Sequence, residues 1–407
     1  MRWLASPEGN AVLRSLPPYD ASAAFALSQR LRREGLSPER AAAVLTQSQL
    51  RERGREKFGE FVDGMLLTQD GLEQATRLDV AAGHAERFAR ASIATVHDLG
   101  CGIGADAMAA ASLGVTVAAV DSDPVTAAVA DANLRPWPDC RARPGLAEDF
   151  QPPPDAARDR VGAWLDPARR VRGVADVNGR ARRVFRLEDF SPSWAYVQAV
   201  AAAVPATGVK LSPSFPHDHI PRGAEAQWVS RAGELLECTL WFGPLVRTSG
   251  RTARILRPGA AVVEITEDQA TAEVPTLADP GALGPWLYEA DRALVQAGLV
   301  GTLTAATFGR ELEAGLGLVT ADTAYDLPYA RRYGVREALP LNVKTLRAWV
   351  RAQGVRGVTI KKRGVRLDES DLHRQLKVTA GADATLLLTR VAGQQLALVL
   401  EPAAAPL

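Results

Sequence analysis

The sequence predicts an α/β protein: a doubly wound, Rossmann-like core preceded by a helical region and followed by a small α+β domain. Three observations carry this expectation. Thr95–Asp123, TVHDLGCGIGADAMAAASLGVTVAAVDSD, reads as a strand, a glycine-rich turn, a helix and a second strand, which is a βαβ unit. Residues 1–90 show helical periodicity with cap signals. Beyond the break at Pro275–Gly284, helical segments alternate with short strands joined by Gly-containing turns.

The chain has 407 residues, 47% hydrophobic and 23% charged, enough for two or three packed domains. No apolar run reaches the ~18 residues of a membrane span, and the N-terminus MRWLASPEGN has no apolar core of a secretory signal. The expected location is the cytoplasm. The three cysteines, Cys101, Cys140 and Cys238, form no CxxC pair, which argues against a disulfide framework or a structural zinc site. Net charge is +1 but unevenly placed. Arg331–Lys377 holds 13 Lys or Arg against 4 Asp or Glu, a local +9, so the rest sums to 1 − 9 = −8. That asymmetry points to a module facing a polyanion.

Taken in order, residues 1–90 form the helical region. In LSPERAAAVLTQSQLRERGREKFG, Ser37 is placed as N-cap, Pro38 at the first helical position and Glu39 in the first turn. Thr68–Gly71 is polar, and helix resumes from Leu72. The core spans 91–275. The glycine turn is followed by a helix over Ala105–Leu113 and a strand over Val115–Val120 that ends on Asp121. PVTAAVADANLRPW is a helix ended by Pro136 and Pro138. Ala142–Phe150 carries a third strand ending near Glu148 and Asp149, and Arg160–Asp166 a central strand stopped by Pro167. A charged loop, Arg170–Arg183, leads to a helix over Tyr196–Ala203 and a strand over Gly208–Leu211. Ala226–Glu267 reads as antiparallel strands at one sheet edge. In the connecting region, 276–330, PWLYEADRALVQAGLV is expected as helix and TLTAATFGRELEAGLGLVTADT as strand and turn. Residues 331–407 combine the basic helix LNVKTLRAWVRAQGV with strands in VTIKKRGV and ATLLLTRVAGQQLALVLEP.

The chemistry begins at Gly100, Gly102 and Gly104, a GxGxG spacing that lacks the later glycine of the dinucleotide fingerprint, since Ala105 stands there. Such a loop lets backbone amides approach a ligand closely. Asp121, 17 residues after Gly104, ends the next strand, where a carboxylate can accept both hydroxyls of a ribose. Asp98 adds a second carboxylate beside the loop. A pyrophosphate would be repelled by it, whereas a ligand carrying a sulfonium and an ammonium would be attracted. The pattern therefore favours S-adenosylmethionine over NAD.

On these residues the chain resembles the class I S-adenosylmethionine-dependent methyltransferases. The resemblance implies that Gly100, Gly102 and Gly104 line the cofactor, that Asp121 holds the ribose, and that Glu148 or Asp149 contacts the adenine amine. Amino-group methyltransferases carry an acid, two prolines and an aromatic at the end of the fourth strand. Here Asp166 and Pro167 match, while Ala168 and Arg169 replace the second proline and the aromatic. The catalytic candidates are Asp166, Pro167 and Arg169, the last able to grip a phosphate or carboxylate. A salt bridge between Asp166 and a nearby arginine is the competing reading. Lys57–Thr76 is similar to the segment ahead of the glycine loop in cap trimethylguanosine synthase-like RNA methyltransferases, which would put Thr68, Glu73, Gln74 and Thr76 beside the methionine end.

Residues 331–407 resemble the THUMP-like domain that follows methyltransferase cores in some bacterial proteins, which implies RNA as partner. The RNA-binding candidates are Lys344, Arg347, Arg351, Lys361, Lys362 and Arg363, with Arg366 beside them. His217-Asp218-His219 lacks a third ligand at metal spacing, so no metal is expected. Ser212 stands where a 5-methyluridine-forming enzyme would carry its cysteine, which disfavours covalent pyrimidine methylation. The expected function is methyl transfer to RNA, with a base nitrogen favoured. A small-molecule or protein methyltransferase and a non-catalytic cofactor-binding scaffold remain as alternatives.

Overall fold

A computed structural model describes residues 3–152, 154, 159–169, 187, 190–270, 273–381 and 383–402. The charged loop read at Arg170–Arg183 lies outside the described residues, as do the side chains of Ala168 and Arg169. The chain divides into two compact units, Met1–Leu211 with Thr239–Arg247, and Ser212–Cys238 with Thr248–Leu407.

In the first unit, helices α1 (Pro7–Arg14), α2 (Ala24–Arg33) and α3 (Pro38–Phe58) precede the core. Ser37 caps α3 by accepting from the Arg40 amide, with Pro38 at the first position, as the sequence predicts. After Met65–Leu67, the short helix α4 (Gln69–Gln74) is capped by Thr68, and α5 (Leu78–Arg90) leads into the sheet. The βαβ unit follows as β1 (Thr95–Leu99), α6 (Ala105–Ser112) and β2 (Thr116–Asp121), within a residue of the expected limits. Next come α7 (Pro124–Asn133), β3 (Arg141–Pro144), β4 (Val161–Leu165), β5 (Ala168–Arg169), β6 (Phe190–Ser191), α8 (Trp194–Ala203) and β7 (Ala206–Leu211). The third strand is shorter than expected. Pro144 supplies no further ladder donor, and Ala147–Asp149 forms a 3₁₀ turn instead.

The strands run β7-β4-β1-β2-β3, all parallel. Their register aligns Leu99 with Val120 on one side and Leu165 on the other, and Leu165 with Val209. The C-terminal ends of all five strands therefore open on one edge, where such sheets bind ligands.

Side chains tie the region ahead of the core to that edge. Gln47 on α3 pairs with both backbone groups of Leu67, donating to its carbonyl at 2.7 Å and accepting its amide at 2.9 Å. Arg51 Nε donates to Met65 O at 2.9 Å. Lys57 Nζ donates to three carbonyls around the end of α4, those of Leu72, Glu73 and Ala75. From α7, Asn133 accepts the Leu66 amide at 2.7 Å and donates to Leu66 O at 3.0 Å and Ile103 O at 2.9 Å. Asn133→Leu keeps the volume and leaves three buried backbone groups unpaired. The expected loss is about 3 kcal/mol or more in urea unfolding; a loss below about 1 kcal/mol would show that these groups find other partners.

In the second unit, β8 (Glu225–Arg231) and β10 (Gly250–Leu256) pair in parallel, and β10 pairs antiparallel with β11 (Val263–Thr266). The all-antiparallel expectation for this stretch is thus corrected: Glu234–Trp241, β9, intervenes in sequence between β8 and β10 and lets both run the same way. An eight-stranded sheet follows, ordered β13-β14-β12-β15-β19-β18-β16-β17. These are β12 (Trp286–Ala290), β13 (Arg310–Glu311), β14 (Leu318–Ala321), β15 (Ala330–Pro340), β16 (Gly357–Lys362), β17 (Thr379–Ala380), β18 (Ala384–Val391) and β19 (Gln394–Pro402). Trp286–Ala290, expected as helix, is strand because its aromatic and aliphatic residues pair with β14 and β15. Helix starts only at Arg292, where Asp291 caps it. Conversely, Gly301–Thr307 is helical where strand was expected. The basic helix falls at Val343–Gln353 with Leu346, Trp349 and Val350 buried.

Candidate active site

At the strand ends of the first unit lies a cleft of about 590 Å³, within the usual size of small-molecule sites. The glycine loop forms its floor. Gly100, Gly102 and Gly104 have φ of 106°, 55° and 86°, a region that side chains rarely adopt, so this path of the backbone requires glycine. Gly104 starts α6. The loop is braced by Asp121, whose Oδ2 accepts the Gly102 amide at 3.0 Å and whose Oδ1 accepts the Asp123 amide at 2.9 Å. The wall opposite comes from Thr68 and Thr76. Gly71 makes that approach possible, since a Cβ there would lie 2.2 Å from Ile103 Cγ2.

Of the residues the sequence singles out, Thr68, Gln74, Thr76, Asp98, Gly100, Gly102, Asp121, Glu148 and Asp166 line this one cleft. Gly104, Asp149 and Pro167 do not. Asp149 accepts from the Leu146 amide at the 3₁₀ turn, and Pro167 is buried. Glu73 turns away to Arg53 and Gln69.

Asp98 is 2% exposed, and its Oδ1 has no hydrogen-bond partner among the described residues. Burial, reinforced by the nearby Asp106 and Asp166 carboxylates, pushes its carboxyl well above the usual range, with Lys210 acting the other way. A buried carboxyl with an idle oxygen in a cleft is suited to a cationic ligand group. Burial also raises the Cys101 thiol well above its ordinary value, which disfavours the thiolate form.

The sequence reading missed a chain of polar contacts behind Asp166. Lys210, one residue from the end of β7, pairs with the Asp166 carboxylate and donates to Thr76 Oγ1 at 3.1 Å. The Thr76 hydroxyl donates to Asp106 Oδ2 at 2.7 Å, and Asp106 Oδ1 meets His84 Nδ1 at 2.8 Å. Burial would raise the Asp106 carboxyl, but the bonds from His84 and Thr76 and the Lys210 charge outweigh it and hold it low. His84 stacks on Trp164, with ring centroids 4.5 Å apart. The Asp166 ion pair anticipated with an arginine is therefore seen with a lysine. One signal pointed to it. Lysine is rare among the 48 basic residues, and the only two before Lys344 are Lys57 and Lys210.

The C-terminal cations behave differently from one another. Lys361 pairs with Glu289 and donates to the Tyr333 hydroxyl at 2.6 Å, while Arg363 lies 3.6 Å from Glu289 and donates to Leu316 O. Burial would raise the Glu289 carboxyl, yet Lys361 and Arg363 keep it below its ordinary value. Lys362 pairs with Glu369, and Arg347 donates to Gln375 O. Lys344 and Arg351 are exposed, with no ion pair among the described residues. His217 Nε2 bonds to Gln296 O, and no group of three or more metal-ligating side chains occurs among the described residues.

Comparisons with known proteins bear on both ends and the whole. Residues 330–402 match the THUMP domain-like family, and residues 1–54 match a domain of unknown function, DUF8688. The chain is 28% identical over 362 residues to a protein of Mycobacterium tuberculosis described as an uncharacterized S-adenosylmethionine-dependent methyltransferase, found in strains CDC 1551 and H37Rv; the match covers 87% of this chain and 94% of the relative. A methyltransferase candidate from Porphyromonas gingivalis W83, known from its crystal structure, superposes with a TM-score of 0.73 at 20% identity, covering 95% of this chain and all of the other. The chain thus shares the fold of that structure, resembles an S-adenosylmethionine-dependent methyltransferase along most of its length, and carries a THUMP domain-like segment over residues 330–402.

Proposed function

We propose that the chain transfers a methyl group from S-adenosylmethionine to RNA, with a base nitrogen as the favoured acceptor. The observation that carries the cofactor is the buried Asp98 carboxyl with an unpartnered oxygen, in the same cleft as Asp121 and the glycine loop. Asp98 would take the cationic methionine end, Asp121 the ribose hydroxyls and Glu148 the adenine side. When bound, S-adenosylmethionine supplies a methyl group on a sulfonium, open to in-line displacement. The protein's own part is positioning and removal of water. Asp166 receives the acceptor nitrogen and takes up its proton, and Lys210 fixes the orientation of that carboxylate.

The burial of Asp98 makes stability depend on pH. A carboxyl raised in the native state favours folding below the ordinary carboxylate value. That contribution is lost as pH rises through the window up to its native value. Asp98→Asn removes the cost of withholding ionisation from this carboxyl, so the ligand-free protein should melt several degrees higher near neutral pH and lose this pH dependence. Its S-adenosylmethionine affinity should fall at least ~10-fold. Thermal unfolding across pH, with and without cofactor, checks both; an unchanged melting curve together with unchanged affinity refutes the role.

RNA is supported by the THUMP-like match and by the local +9 of Arg331–Lys377. Since Lys361 and Arg363 are engaged by Glu289, contacts to phosphate should fall on Lys344 and Arg351. Lys344→Glu with Arg351→Glu is expected to weaken RNA binding by ~10-fold or more and to flatten its salt dependence. The deciding experiment incubates the enzyme with labelled S-adenosylmethionine and, separately, total RNA and total protein from a cell. Label in RNA supports the proposal. Label confined to protein would overturn RNA as the acceptor and sustain the alternative of a protein.

A further inference from the structure

A second cavity, of about 290 Å³, lies in the helical region of the first unit, its lining including Arg14, Tyr19, Arg51, Glu52, Arg55 and Asp63 together with Pro17 and Pro18. None of these residues lines the cofactor cleft. Their charges do not cancel. Arg55 is spent locally: its two terminal nitrogens reach both Asp63 oxygens at 3.2 and 2.8 Å, and its Nε reaches Glu52 at 3.3 Å. Three arginines thus face two acids, and both acids already serve Arg55. Arg51 is only 8% exposed, and its one hydrogen bond among the described residues is from Nε to Met65 O. Its terminal nitrogens have no hydrogen-bond partner among the described residues, nor has Arg14 an ion partner there. A guanidinium carries five N–H donors in a planar fork, so four of Arg51's remain unused. Burial and the Arg14 charge both work against the Arg51 cation, with Asp63 partly offsetting them.

We infer that this cavity is a binding site for a phosphoryl group, held by the forked terminal nitrogens of Arg51 and by Arg14, with Tyr19 and the two prolines as walls for what the phosphate carries. The geometry suits this chemistry. Arg51 is oriented by its bond to Met65 O, so little side-chain freedom is lost on binding, and a tetrahedral oxyanion accepts two parallel N–H bonds from the fork. The same arginine anchors the Met65–Leu67 segment that leads to Thr68 in the cofactor cleft, so the site touches the segment that shapes that cleft. The inference stands apart from the nature of the methyl acceptor.

Calorimetric titration of the full chain tests it, with sodium pyrophosphate in one arm and a short oligoribonucleotide, with and without a 5′-phosphate, in the other. Saturable binding is expected in at least one arm. It should weaken ~10-fold or more in Arg14→Glu, an exposed position whose folding is verified by thermal unfolding, and similarly in Arg51→Lys, which keeps the charge and loses the fork. Binding of pyrophosphate alone assigns the site to a free phosphate. Loss of oligoribonucleotide binding with its 5′-phosphate assigns it to a strand end, and retention to a chain phosphate. Absence of saturable binding in both arms, or binding that neither substitution changes, overturns the inference.

Discussion

Asp121→Ala is expected to weaken S-adenosylmethionine binding about 100-fold or more, equivalent to roughly 3 kcal/mol. Two effects combine. The carboxylate would lose two charge-assisted bonds to the ribose, each worth about 1.5–3 kcal/mol. The Gly102 and Asp123 amides would also lose their common acceptor, loosening the loop that forms the cleft floor. Asp121→Asn keeps an oxygen for one of these amides and should fall between, about 10-fold weaker. Calorimetry on the folded variants measures both. Equal affinity for wild type and Asp121→Ala would remove the basis for the cofactor assignment.

Asp166→Ala should leave S-adenosylmethionine affinity within a few-fold and lower the rate of methyl transfer by about 10²–10⁴, the range usual for loss of a proton acceptor in the transition state. The substitution also strips Lys210 of its ion partner, so a drop in rate alone does not separate chemistry from positioning. Asp166→Asn and Lys210→Met make the distinction. If Asp166 takes the proton, Asn fails as badly as Ala, whereas Lys210→Met retains part of the rate with an altered pH profile. Single-turnover rates at saturating cofactor decide this, and full activity in Asp166→Ala would assign the acid a purely structural task.

Much of this was legible because local rules met no opposition. The turn from Leu99 through Gly104 needs positive φ at three places, and only glycine supplies it cheaply, so spacing alone located the loop. Ser37-Pro38-Glu39 starts α3 where cap chemistry requires. The failures have a common cause in long-range pairing. Trp286–Ala290 looks amphipathic in isolation and becomes strand only because β14 and β15 lie on either side. Lys210 stands 44 residues from Asp166 in sequence, and only the parallel pairing of β4 with β7 brings their strand ends together. Glu289, likewise distant from Lys361 and Arg363, turns two apparent surface cations into members of a half-buried cluster. Charge counting sees the sum of such residues and not their pairing.

The bonds from Gln47, Arg51 and Lys57 to residues 65–75 have a consequence for what can be exchanged in this protein. A boundary drawn at residue 90 follows a shift in sequence pattern, yet one wall of the cleft at the strand ends hangs from α3, on the far side of that line. The helical region and the edge of the sheet thereby depend on each other for their shape. Replacing the first 90 residues by an unrelated helical segment would leave the glycine loop facing a missing wall, since Thr68 and Thr76 would go with them.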